Sequence, residues 1–91
     1  INMDKKIKIS TTMEEKLQKR FSPFMLKIED VSEMHRGHGG FKEGGETHFV
    51  IYINCAEFKD KNKLAVHRLI NEELKDEWEN GVHSISIKTK A

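Results

Sequence analysis

Three histidines, His35, His38 and His48, stand among five of the chain's six glycines in the segment 34–49, MHRGHGGFKEGGETHF. Imidazole is a good ligand for iron, zinc and copper. Glycine lets the backbone take turns that other residues resist. A loop rich in both is a candidate metal-facing surface. His35 and His38 form H-x-x-H, but the partner cysteines of a zinc finger and the protease motif H-E-x-x-H are absent. Taken alone, both also read as solvated loop residues. His48 opens an apolar run in a phase opposite to Phe49 and Ile51, which suits local packing or hydrogen bonding. His67 sits at the flank of a helical stripe, Val66/Ile70/Leu74, beside Asn71 and Trp78. Arg68 next to it disfavours protonation and keeps the ring competent to bind metal. His83 alternates with Ile85 and Ile87, which predicts a core histidine facing the helices.

The remaining reactive types carry less. Cys55 is the sole cysteine, so no intrachain disulfide can form, and a buried inert thiol is its expected state. Asp76, Glu77 and Glu79 read as a solvated helix end. Gly37-His38-Gly39-Gly40 fits the G-x-x-G of KH domains, but there it joins two helices and here it joins two strands. The phosphate-binding and dinucleotide fingerprints are missing, and nothing assembles a nucleophile, base and orienter. The chain reads as a non-enzyme.

The elements that must position these groups follow from periodicity. Residues 1–9 form a flexible, Lys-rich segment ahead of a single domain over 10–91. Thr11/Glu14 or Thr12/Glu15 offers a capping box, and Met13, Leu17 and Phe21 recur every four residues, which predicts a helix over 12–21. Ser22-Pro23 stops it. The run 24–31 alternates as a strand with one wet face. The Gly/His loop, 32–46, is longer than most hairpin connections. Residues 47–54, THFVIYIN, give the strongest strand signal, apolar on both faces and therefore central. Ala56-Glu57-Phe58 makes a turn anchored by Phe58. One helix is expected over 62–79, with Asn62 as N-cap, Trp78 continuing the stripe and Asn80-Gly81 ending it. Residues 82–88 form a third strand, parallel to the second through a right-handed crossover. The order α-β-β-α-β predicts an α+β fold, a mixed three-stranded sheet with helices packed on one face.

Composition narrows the function classes. Sixteen basic and fifteen acidic side chains leave a net charge of +1, which argues against a strong, sequence-independent grip on nucleic acid. A local basic patch exists at Lys5, Lys6, Lys8, Lys16, Lys19 and Arg20, and 72–79 is acidic. No run nears the ~20 apolar residues that span a bilayer. No stretch reads as a signal peptide, and the opening Ile1-Asn2-Met3 suggests a trimmed start. An intracellular chain is expected, cytoplasmic or in the mitochondrial matrix.

Taken together, the strings EEKLQKRFSPFMLKIED, SEMHRGHGG, GGETHFVIYI, the phenylalanine of CAEF, HRLINEEL and GVHSISI resemble the BolA family from Met13 to Ile87. The resemblance implies an α+β fold similar to a class II KH domain. It implies a monomer that forms a heterodimer with a monothiol glutaredoxin, the pair sharing a 2Fe–2S cluster with glutathione. The family's helix histidine corresponds to His67, followed by Arg68, with Val66 where relatives usually carry arginine. The loop ligand corresponds to His35, placing the chain in the histidine subgroup, with His38 near enough to substitute; Arg68, Gly37 and His38 would face the partner. Cys55 falls where relatives commonly carry serine and takes no metal role. Neutral imidazoles in place of thiolates raise a cluster's potential, as in Rieske centres. Two protein ligands are too few to hold a cluster alone, so the isolated chain should be apo. The implied function is non-catalytic, in iron–sulfur cluster assembly or transfer or iron homeostasis. The alternative is a nucleic-acid-binding transcriptional regulator.

Overall fold

In the computed structural model, residues 8–35 and 45–89 are described. Helix α1 spans Ile9–Phe21 and strand β1 Met25–Asp30, followed by a 3-10 turn at Ser32–His35. Strand β2 is His48–Asn54, and a second 3-10 turn, Ala56–Phe58, leads into α2 at Lys63–Glu73. Helix α3 is Lys75–Glu79 and strand β3 is Ser84–Lys88. The sheet order is β1-β2-β3, with β1 antiparallel and β3 parallel to the central β2. The mixed three-stranded sheet is therefore as predicted.

Alternation along β2 explains the layering. Phe49, Ile51 and Ile53 join Met13, Leu17 and Phe21 of α1 and Val66 and Ile70 of α2 in one buried cluster. Burying a side chain of this size is worth about 1.5–3 kcal/mol, so this layer dominates the stability. The opposite face carries Lys27, Tyr52, Ser86 and Lys88, with the Lys27 ammonium 5.7 Å from the Tyr52 ring centre.

Three expectations change. Helix α1 begins earlier than 12, at Ile9, with Lys8 as a residue that offers no side-chain cap. The capping box does not form; instead Glu46, from a distant segment, accepts the Ile9 N–H at 2.7 Å. The long helix breaks at Leu74 (φ −103, ψ 15) into α2 and α3. A strict spacing of four drifts across an α-helix face, and the break resets that drift. Glu77, not Trp78, then turns inward. Glu77 is only 5% exposed, contrary to the solvated acidic end expected, and its carboxylate takes Lys16 Nζ at 3.0 and 2.9 Å. Trp78 stays half-buried and donates from Nε1 to Asn71 Oδ1 at 3.3 Å. The third correction concerns His83, which is exposed rather than in the core because β3 starts two residues later than expected, at Ser84, and leaves His83 in the preceding turn.

Candidate functional site

Because β2 and β3 are parallel, both begin at the same end of the sheet, and β1 finishes there. The connection between β1 and β2 leaves and returns at this end. Its departure is clamped by Asp30. Oδ1 accepts the Ser32 N–H at 2.9 Å and the Ser32 hydroxyl, and Oδ2 accepts the Glu46 N–H at 2.9 Å. The Ser32 Oγ in turn accepts the Thr47 and His48 N–H groups at 2.9 and 3.0 Å. Two short polar side chains thus satisfy four backbone donors at a place where no ladder partner exists. Burial alone would raise the Asp30 carboxyl's pKa. The Ser32 hydroxyl, the Ser32 and Glu46 amides and the nearby His48 outweigh it and hold the group below the usual 3.8.

Gly45 and Glu46 close the clamp with left-handed backbone, φ 84 and 66. A Cβ on Gly45 would meet Asp30 Oδ2 at 3.0 Å, so glycine is required there by both conformation and space.

Two imidazoles meet beside this clamp. His48, 3% exposed, has Nδ1 2.7 Å from Thr47 Oγ1. The exposed His83 ring lies 5.5 Å from the His48 ring, centre to centre, tilted by 48°. The His83 N–H donates to the Thr47 carbonyl at 2.7 Å, which fixes the approach of the turn to β3. His35 ends the 3-10 turn at this same end of the sheet, next to Met34, which is 78% exposed. The expected sites Gly37 and His38 lie outside the described residues.

His67 lies elsewhere. It is half-buried on the N-terminal half of α2 and lines a groove with Asn54, Phe58, Ile85 and Lys88, toward the ends of β2 and β3. No residue of the clamp, and neither His48 nor His83, lines that groove. Arg68 beside it is exposed. The fold therefore brings His35 to the end that carries His83, not to His67. Among the described residues, no group of three His, Cys, Asp or Glu side chains is placed to hold a metal ion. Cys55 is buried.

Alternation with Ile85 and Ile87 predicts a core position for His83, whereas β3 begins only after it. The usable signal is topological: Thr47-His48 stands at the start of β2 and Val82-His83 directly before β3, and those strands run parallel.

The class that fold and site define is a small α+β domain with a mixed three-stranded sheet and imidazoles at one sheet end. Its residues 17–91 match the family model described as BolA-like protein, and the chain belongs to that family. It is 42% identical over 83 residues to Protein BOLA1, chloroplastic, of Arabidopsis thaliana, covering 89% of this chain and 52% of that protein. The chain thus spans about half the length of that relative. It is 35% identical to the DNA-binding transcriptional regulator BolA of Vibrio cholerae over 81 residues, 89% of this chain and 73% of that protein. The solved BolA domain of SufE1 from Arabidopsis thaliana matches with a TM-score of 0.77 at 41% identity, covering 86% of this chain and 85% of that one. No helix among the described residues is long and apolar enough to cross a membrane.

Proposed function

We propose that this chain is a non-catalytic partner of a monothiol glutaredoxin and donates imidazole ligands to a shared 2Fe–2S cluster in iron–sulfur assembly, transfer or iron homeostasis. The observation that carries the reading is the shared end of the sheet, where the loop bearing His35 starts and where His83 stands exposed beside His48. The donor set suits a shared cluster, because two imidazoles are too few to hold one alone and a companion's thiolates must complete it. His35, with His38 as substitute, and His83 would hold the iron on this side; His67 is the alternative to His83. When bound, the cluster supplies one-electron chemistry and a transferable iron–sulfur unit. The chain's own part is to present the rings. The Asp30 clamp fixes where the loop leaves the sheet, and Thr47 fixes His48, against which the His83 ring rests. That the matched BolA domain belongs to a protein named SufE1 agrees with an iron–sulfur setting.

The test mixes the chain with a monothiol glutaredoxin, glutathione, iron and sulfide, and records visible absorption and circular dichroism. The mixed spectrum should differ from that of the glutaredoxin homodimer. His83→Ala should remove the difference, and so should His35→Ala. His67→Ala should keep it. Loss with His67→Ala and retention with His83→Ala would move the ligand to the groove. Spectra indifferent to all three substitutions would end the ligand reading.

A second reading, a nucleic-acid-binding regulator, is favoured by the name of the Vibrio relative. It predicts tight, salt-dependent gel shifts near physiological ionic strength, against which the near-neutral net charge weighs.

A further inference from the structure

The groove beside His67 is left unused when His35 and His83 hold the cluster. It has a volume of about 920 Å³ and runs between the N-terminal half of α2 and β3. Five successive residues, Ile85 to Thr89, line it. Successive side chains of a strand point to opposite faces, so all five can line one groove only if the groove opens on the strand's edge. Among the described residues, β3 is an edge strand of the sheet, with β2 on its other side. The edge therefore offers backbone N–H and C=O groups outward, the requirement for pairing with a further strand.

Charge and apolar surface around this edge are ordered. Val66, Ile85 and Ile87 contribute apolar lining, and Phe58 closes one end. Lys59, Lys61, Lys63 and Lys88 form the rim, all exposed. Among the described residues, none of the four has a carboxylate within ion-pair distance. Edge lysines commonly serve only to prevent sheet-to-sheet aggregation. Here one lysine is on the strand, and the other three stand on the wall that precedes and opens α2. They surround the groove rather than punctuate the edge.

We infer that this groove binds an extended acidic peptide segment of a partner protein, which adds a strand to the free edge of β3. Main-chain hydrogen bonds along the edge give the register. Alternate apolar side chains of the segment enter against Val66, Ile85 and Ile87, and its carboxylates meet the lysine rim. A second copy of this chain does not fit, because two lysine-rimmed edges repel. A single-stranded nucleic acid would satisfy the lysines but lacks alternating backbone donors, and the groove offers no stacking platform. Its aromatic ring, Phe58, is buried against Phe21, with ring centres 5.1 Å apart.

The test is an amide-resolved NMR titration with a short peptide alternating valine and glutamate. Saturable shifts are expected along Ser84–Thr89 and the N-terminal half of α2. The same peptide N-methylated at alternate residues should bind at least ~10-fold more weakly, since it loses the donors that pair with the edge. Changing Lys59, Lys61, Lys63 and Lys88 together to glutamine should weaken the unmodified peptide by about tenfold as well, and raising the salt to ~0.3 M should act in the same direction. Equal binding by the N-methylated peptide would overturn strand addition. Tighter binding of an oligothymidylate to the same amides would assign the groove to nucleic acid instead. The absence of any saturable shift, with the quadruple variant folded and unchanged, would remove the site. None of these outcomes touches His83, so the cluster reading stands or falls separately.

Discussion

The two ends of the parallel pair β2/β3 differ in kind. At the starting end, an ionised carboxylate, two hydroxyls and two imidazoles build a network in which backbone donors are satisfied by side chains. At the finishing end, four lysines surround a histidine and an apolar floor. Both ends hold a histidine that sequence patterns alone would nominate as a ligand. The environment separates them. At the first end the rings stand beside the Asp30 carboxylate and two hydroxyls, whereas His67 shares its groove with four lysines. An imidazole's chemistry is read from what surrounds it.

The comparison can be broken or sharpened by substitution. Ile51 sits fully buried at the middle of β2, between the two ends. Ile51→Ala should cost about 3–4 kcal/mol and lower both ends together, seen as a common loss of denaturation midpoint. Lys16→Ala should come next. It strands the buried Glu77 of α3, for about 2–3 kcal/mol, less than a fully buried pair because Lys16 Nζ keeps partial access to water. Lys16 has its pKa raised, chiefly by the Glu77 hydrogen bond. The pair's contribution is therefore full below the ordinary lysine value of 10.5 and is lost as pH rises through the higher folded value. Chemical denaturation in alkali should show that loss in the wild type and not in Lys16→Ala.

Asp30→Asn should have a smaller and local effect, about 1 kcal/mol, through weaker bonds to the Ser32 and Glu46 amides. Hydrogen exchange should quicken at those amides and stay unchanged along α2. Uniform quickening would mean that the two ends are not separable. The smallest effect is expected from acid. Because the folded Asp30 pKa is depressed, its contribution is present above 3.8 and fades as pH falls through the folded value. In a pH titration, the starting end should therefore loosen before the lysine groove changes.

Much of this was legible in the residues. The four-residue spacing of Met13, Leu17 and Phe21, the run from Phe49, the Asn62 cap and the anchoring Phe58 all stand where periodicity put them. Asn62 Oδ1 accepts the Ala65 N–H at 2.8 Å, as an N-cap should. What was not legible depends on partners far apart in the chain. The start of α1 is set by Glu46, 37 positions away, and Glu77 turns inward only because Lys16, 61 positions away, meets it. The site divides similarly. The loop's glycines and histidines announced themselves locally, whereas the pairing of His48 with His83 required the register of β3.

Glu46 ties the first turn of α1 to the returning limb of the β1–β2 connection through one short hydrogen bond. Any event that draws that limb away leaves the Ile9 amide without its acceptor, so the opening turn of the helix must weaken in proportion. The linkage is reciprocal: whatever steadies the start of α1 also steadies Glu46 in its left-handed backbone. The amino-terminal helix is thus a built-in gauge of what happens at the histidine end, readable at a single amide.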